Sequence, residues 1–106
     1  MERALIVSGS EKGIDAVAQL LKNAGYSQIT AINSGSEARR LIDTTEYEII
    51  IINTPVSDEF GHELAVMMSE SSTAGIILIC RAEIAEDVSD KVGEFGVCVV
   101  SKPLNH

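Results

Sequence analysis

The sequence predicts a three-layer, doubly wound α/β fold, a five-stranded parallel sheet with helices on both faces. Five short apolar runs recur along the chain: RALIVS (3–8), QITAIN (28–33), EIIIIN (48–53), GIILIC (75–80) and VCVVS (97–101). Three of them are almost unbroken Ile, Leu and Val, the composition of parallel strands covered on both faces. Helical patterns separate the runs, and strict alternation of strand and helix brings right-handed crossovers. In such folds the site lies in the loops beyond the carboxyl ends of the strands.

Each intervening segment reads as a helix. The first places Ile14, Val17, Leu20, Leu21 and Ala24 on one stripe, with Ser10 as N-cap and Gly25 as the stop. The second opens with SGSE, where Ser34 and Glu37 have capping-box spacing ahead of the apolar Ala38, Leu41 and Ile42. A third is expected from near Asp58, burying Phe60, Leu64, Met67 and Met68. The fourth carries Ile84, Val88 and Val92 and ends at Gly96. The strand ends to inspect are therefore Ser8-Gly9-Ser10, Asn53-Thr54, Cys80-Arg81 and Ser101-Lys102-Pro103.

Composition removes several function classes. With 106 residues, 45% of them hydrophobic, the chain is one domain able to form its own core. Its net charge of -8, with Arg39-Arg40 the one adjacent basic pair, opposes direct contact with nucleic acid or an anionic membrane. No run approaches the roughly 18 apolar residues of a membrane span, and the start does not read as a signal peptide. Cys80 and Cys98 fall in apolar runs at no metal-ligand spacing, which predicts two buried, reduced thiols in a cytoplasmic protein. His62 and His106 have no Cys or His neighbours at ligand spacing, so no metal site is expected on them. SGSEKG follows a strand and opens a helix, but it lacks the order of a phosphate-binding loop. It reads as a turn loosened by Gly9 and Gly13.

At the strand ends the sequence resembles a receiver domain, the phosphoacceptor module of bacterial two-component response regulators. YEIIIINTPVSDEFGHEL is similar to the receiver stretch in which a strand ends in the phosphoacceptor aspartate and a Pro-containing loop leads to a Gly. Asn53 falls at the aspartate position and Gly61 at that Gly. SKPLN resembles the family's Lys-Pro, with Lys102 at the phosphate-contacting lysine and Pro103 after a bond that is often cis in the family. The resemblance covers essentially the whole chain and implies a flavodoxin-like sheet of order 2-1-3-4-5. It also implies a fifth helix, for which the chain, ending at His106, has no residues. Residues 1–103 thus read as a receiver-like domain and 104–106 as the stub of a truncated continuation. SGSEARRLI and PVSDEFGHELA look most like receivers of AmiR/NasT-type antitermination regulators.

The departures from the family carry the functional expectation. Receivers keep two acidic residues after the first strand, which bind Mg²⁺ together with the phosphoacceptor; here those positions hold Ser8 and Gly9. Mg²⁺ is a hard cation that favours carboxylate oxygens, so its binding is expected to be lost. An amide at Asn53 is no substitute for an ionised carboxylate nucleophile. The switch positions are altered as well. Cys80 stands where a Ser or Thr is usual, and Val99 occupies the position of a rotating aromatic. Lys102 is expected to bond the Asn53 side-chain oxygen. Asp58 and Glu11, the nearest acids, read as helix-capping and dipole-compensating residues. The expectation is a degenerate, phosphorylation-independent receiver with no enzymatic activity; the alternatives are a phosphoaccepting receiver using an unconventional acceptor, or a small α/β ligand-binding domain using the strand-end crevice. Its partner would be a protein or its own output domain, and an exposed sheet face would permit a homodimer.

Overall fold

The computed structural model describes residues 3–102. Within them a five-stranded parallel sheet has the order β2-β1-β3-β4-β5. Its strands are β1 (Arg3–Ser8), β2 (Gln28–Ile32), β3 (Ile49–Asn53), β4 (Gly75–Arg81) and β5 (Cys98–Lys102). The connections are α1 (Glu11–Asn23), α2 (Gly35–Thr44), α3 (Gly61–Ser71) and α4 (Ala82–Val92).

The pleat divides the core in two. Leu5, Val7, Ile50, Ile52, Leu78 and Cys80 face the side packed with α2, α3 and α4, where Ala38, Leu64, Met68 and Val88 meet them. Ala4, Ile6, Ile51 and Ile79 face the opposite side, against Val17 and Leu21 of α1. Successive residues of one strand thus enter different clusters, which is why the central strands are apolar throughout. The edge strand β5 is less covered, and Val99 and Val100 are half-buried on opposite sides of it.

The helix ends form largely as their sequence implies. Ser10 accepts from the Gly13 amide at 3.1 Å and Ser34 from the Glu37 amide at 3.1 Å, each satisfying a free donor of the first turn. Gly25 and Gly96 adopt φ of 98° and 79° after α1 and after the short 3-10 turn Gly93–Phe95, values that favour glycine over any side chain. That turn corrects the expected end of the fourth helix, which stops being α-helical at Val92.

Four other expectations need correction. The third helix starts at Gly61, and Phe60 is its N-cap residue, 68% exposed and 5.8 Å from the His62 ring rather than in the core. Leu20 and Ile84 lie at the margins of their helices' apolar stripes and are each 37% exposed. Cys98 is exposed because its strand is an edge, whereas Cys80 is buried in the centre. Asp58 does cap a helix, but that helix is α2. Its carboxylate accepts from the Gly35 amide at 2.7 Å, the Ser36 amide at 3.2 Å and the Ser34 hydroxyl at 3.3 Å. The flanking residues reinforce the tie, since Ser57 donates to the Asn33 carbonyl at 2.6 Å and Glu59 pairs with Arg39 at 2.5 Å. The expected cis bond before Pro103 lies outside the described residues; Thr54–Pro55 is the cis bond among them.

The Gly35 amide, then the Ser36 amide and the Ser34 and Ser36 hydroxyls, hold the Asp58 carboxyl below its ordinary range against a smaller opposing effect of burial. The folded state therefore binds fewer protons than the unfolded one. The contribution is present above the unfolded carboxyl's range and is lost as pH falls through the folded value. Asp58→Asn should reduce stability at neutral pH and leave a shallower acid-side loss than wild type shows. Urea denaturation between neutral and strongly acidic pH measures both effects.

Candidate functional site at the strand ends

The carboxyl ends of β1 and β3 meet in direct register, Ser8 opposite Asn53. These are the two buried polar residues among those described, 0% and 4% exposed. They satisfy each other. The Asn53 Nδ2 donates to Ser8 Oγ at 3.1 Å, and Ser8 Oγ also accepts from the Ser10 amide at 3.2 Å. A buried amide and hydroxyl cost little when paired in this way, whereas a lone carboxylate here would need a counter-ion.

Gly9 and Gly13 have packing roles rather than loosening a turn. The Gly9 amide donates to the Pro55 carbonyl at 2.8 Å, and a side chain there would meet that oxygen at 3.0 Å. Gly13 lies inside α1, and a Cβ on it would sit 2.2 Å from Asn53 Nδ2. The helix thus presses its backbone onto the Asn53 amide, and Asn53 is held from behind by Ser8.

Lys102 does not reach the Asn53 side chain as expected. Its Nζ donates to the backbone carbonyl of Thr54, one residue further along. Thr54 is itself anchored, its amide and hydroxyl donating to the Ile79 carbonyl at 3.0 and 2.8 Å. Cys80, on the opposite side of β4, has its thiol pushed up by burial, with Lys102 opposing in part. A thiol held protonated is a poor nucleophile. Val99 packs beside the cluster that contains Cys80, and Pro103 lies outside the described residues. The structure thus brings Ser8, Asn53, Lys102 and the Gly9 backbone to one rim; Cys80 and Val99 pack into the other sheet face, although Cys80 and Lys102 both line an adjoining cavity of ≈ 800 Å³.

These residues do not fit Mg²⁺. Gly9 offers no side-chain oxygen, the Ser8 hydroxyl is engaged inside the protein, and Asn53 is neutral. Among the described residues no group of three or more His, Cys, Asp or Glu side chains is placed to hold a metal ion. Arg81 also stands at this rim, in register with Lys102. The sequence marks it as a strand-end position to inspect but gives it no role.

No protein-family model matches the chain, and no curated protein matches it in sequence. Solved structures do. A two-component response regulator from Clostridium difficile superposes with a TM-score of 0.83 at 21% identity, over 99% of this chain and 86% of that one. The receiver domain of the TMAO respiratory system response regulator TorR gives 0.80 at 25% identity, covering 99% and 87%. The response regulator TrrA from Thermotoga maritima, in complex with Mg²⁺-BeF, gives 0.81 at 23%, covering 99% and 90%. The chain has the CheY-like, flavodoxin-like receiver fold. No helix among the described residues is long and apolar enough to cross a membrane.

Alanine normally stabilises a helix over glycine by about 1 kcal/mol. At Gly13 the order should reverse, because overpacking a buried neighbour costs about 1–3 kcal/mol. At Gly93, where an added Cβ meets nothing within 4 Å, Gly93→Ala should gain roughly 0.4–1 kcal/mol. Denaturant unfolding of the two variants checks the opposite signs.

Proposed function

We propose that this chain is a degenerate receiver domain that works without phosphorylation, docking a protein partner or its own output domain. The observation that carries the reading is the closed, neutral Ser8–Asn53 pair at the point where a phosphoacceptor would stand. In-line attack on phosphorus requires an ionised oxygen nucleophile and cations to neutralise the transferring group. The rim offers an amide, a hydroxyl turned inward and one lysine bonded to a main-chain carbonyl. The TrrA relative has been captured with Mg²⁺-BeF; nothing at the Ser8, Gly9 and Asn53 positions would anchor that pair here.

The rest of the module suits docking. Phe60 stands 68% exposed on a loop fastened to α2, and exposed aromatic groups serve well as interface anchors. The altered positions Cys80 and Val99 fit a surface that no longer follows a phosphoryl group. The motif likeness to AmiR/NasT-type regulators extends the proposal to control of a transcription antitermination output. RNA contact would then belong to the output domain, in keeping with the net charge of -8 here. A cytoplasmic location and the absence of enzymatic activity belong to the same proposal.

The test is incubation with a small phosphodonor and Mg²⁺ followed by intact-mass measurement. Wild type should gain no phosphoryl group, and Asn53→Asp alone should remain unmodified, since the two metal-binding acids are still missing. A phosphoryl adduct on the wild-type protein would overturn the proposal, whichever residue carried it.

A further inference from the structure

We propose that the outer edge of β2 pairs antiparallel with the β2 edge of a second copy of this chain, joining two five-stranded sheets into one. This is a different surface from the exposed sheet face that the sequence suggested for a homodimer, and the inference does not depend on the reading of the rim. β2 closes the sheet on one side, so no strand lies beyond Gln28–Ile32 among the described residues. Edge strands are usually guarded by a charge, a proline or a bulge. β2 has none of these. Its sequence is QITAI, and it pairs with β1 residue for residue from Gln28 to Ile32. Gln28, Thr30 and Ala31 are exposed. The other edge, β5, does carry a charge, Lys102.

The charges flanking this edge select one orientation. Strand alternation puts Gln28, Thr30 and Ile32 on the α2 face and Ile29 and Ala31 on the α1 face. On the α1 face, Glu11 borders a groove with Ala31 and Ile32 at the carboxyl end of the strand. Lys22 follows on the same helical stripe three turns later, at the amino end. On the α2 face, Glu37 borders that carboxyl-end groove, and Arg3 donates to the Gln28 side chain at 2.9 Å at the amino end. Both faces therefore run from base to acid along the strand. Glu48, whose amide donates to the Arg3 carbonyl, accepts from the Tyr26 hydroxyl at 3.4 Å. Asp43 falls on the stripe of Arg39, the side of α2 that reaches Glu59.

A parallel neighbour would set acid against acid. A two-fold axis at Thr30 instead sets Glu11 near the second copy's Lys22 and Glu37 near its Arg3, each contact occurring twice. The spans agree, with Glu11 to Lys22 about 16 Å along the helix and Gln28 to Ile32 about 13 Å along the strand. The same axis places Thr30 opposite itself and Ile29 opposite Ala31, a threonine pair and an apolar pair. The net charge of -8 opposes self-association in general. Much of it lies on α4, where Glu83, Glu86, Asp87 and Asp90 are exposed beside β4 and β5, at the far side of the sheet.

The experiment is sedimentation equilibrium in reducing agent, from micromolar to millimolar protein. Wild type should show a reversible monomer–dimer equilibrium. Thr30→Lys puts like charges on the two-fold axis and should weaken association roughly tenfold or more; circular dichroism checks that it folds, and the charge variants carry the test if it does not. Lys22→Glu and Glu11→Lys should each weaken self-association, because each sets like charges together twice. An equimolar mixture of those two should associate as wild type does, since every flanking contact on the α1 face then joins opposite charges. Cys98→Lys, which adds a charge to the β5 edge, should leave association unaltered. A wild type that stays monomeric at millimolar concentration would overturn the inference and leave the edge to a strand of another protein. Thr30→Lys associating as wild type does, or Cys98→Lys abolishing association, would overturn it in favour of another surface. Failure of the mixture to associate would overturn the antiparallel arrangement.

Discussion

The hydrogen bond from Asn53 to Ser8 is the constraint on which the functional end of this molecule depends. It joins the ends of two central strands in register, through the two buried polar residues among those described. A cluster of ionised carboxylates there would repel and would need a cation to persist. An amide and a hydroxyl pair without one, and the Ser10 amide adds a second bond to the hydroxyl. The pairing holds the two strand ends together without an ion. Gly13 belongs to the same constraint, because α1 can approach this pair only where it carries no side chain.

Much of the fold was legible because backbone pattern and burial agreed. Ile49 to Ile52 could be apolar without alternation only if both faces were covered, and the structure sends alternate members to opposite cores. Ser10 and Ser34 cap as their spacing implied, since an N-cap is decided within four residues. What misled was long-range. Asp58 looked like a cap for the helix that follows it, yet its partners lie 22 to 24 residues upstream. Phe60 was assigned to the core on its helical spacing from Leu64, Met67 and Met68, but the helix starts only at Gly61, and the residue before a helix start need not share that helix's buried stripe.

The site was legible as a set of positions and less so as a geometry. Ser8, Asn53 and Lys102 do converge on one rim, because parallel strands all end on the same side. Lys102 nevertheless chooses a main-chain carbonyl over the Asn53 amide oxygen. Cys98 shows how far neighbour composition can mislead: an apolar run reads alike at the edge and in the centre of a sheet, and strand order alone tells them apart. Arg81 comes beside Lys102 only once β4 and β5 are aligned.

The loop from Ser57 to Glu59 is fastened to the α2 region by a hydroxyl, a carboxylate and an ion pair. Phe60, the next residue, therefore projects from a mount whose conformational freedom has already been given up during folding. Any protein that grips the ring has little ordering entropy left to overcome, and more of the contact energy survives as affinity. A ring held in this way would suit the docking role proposed above.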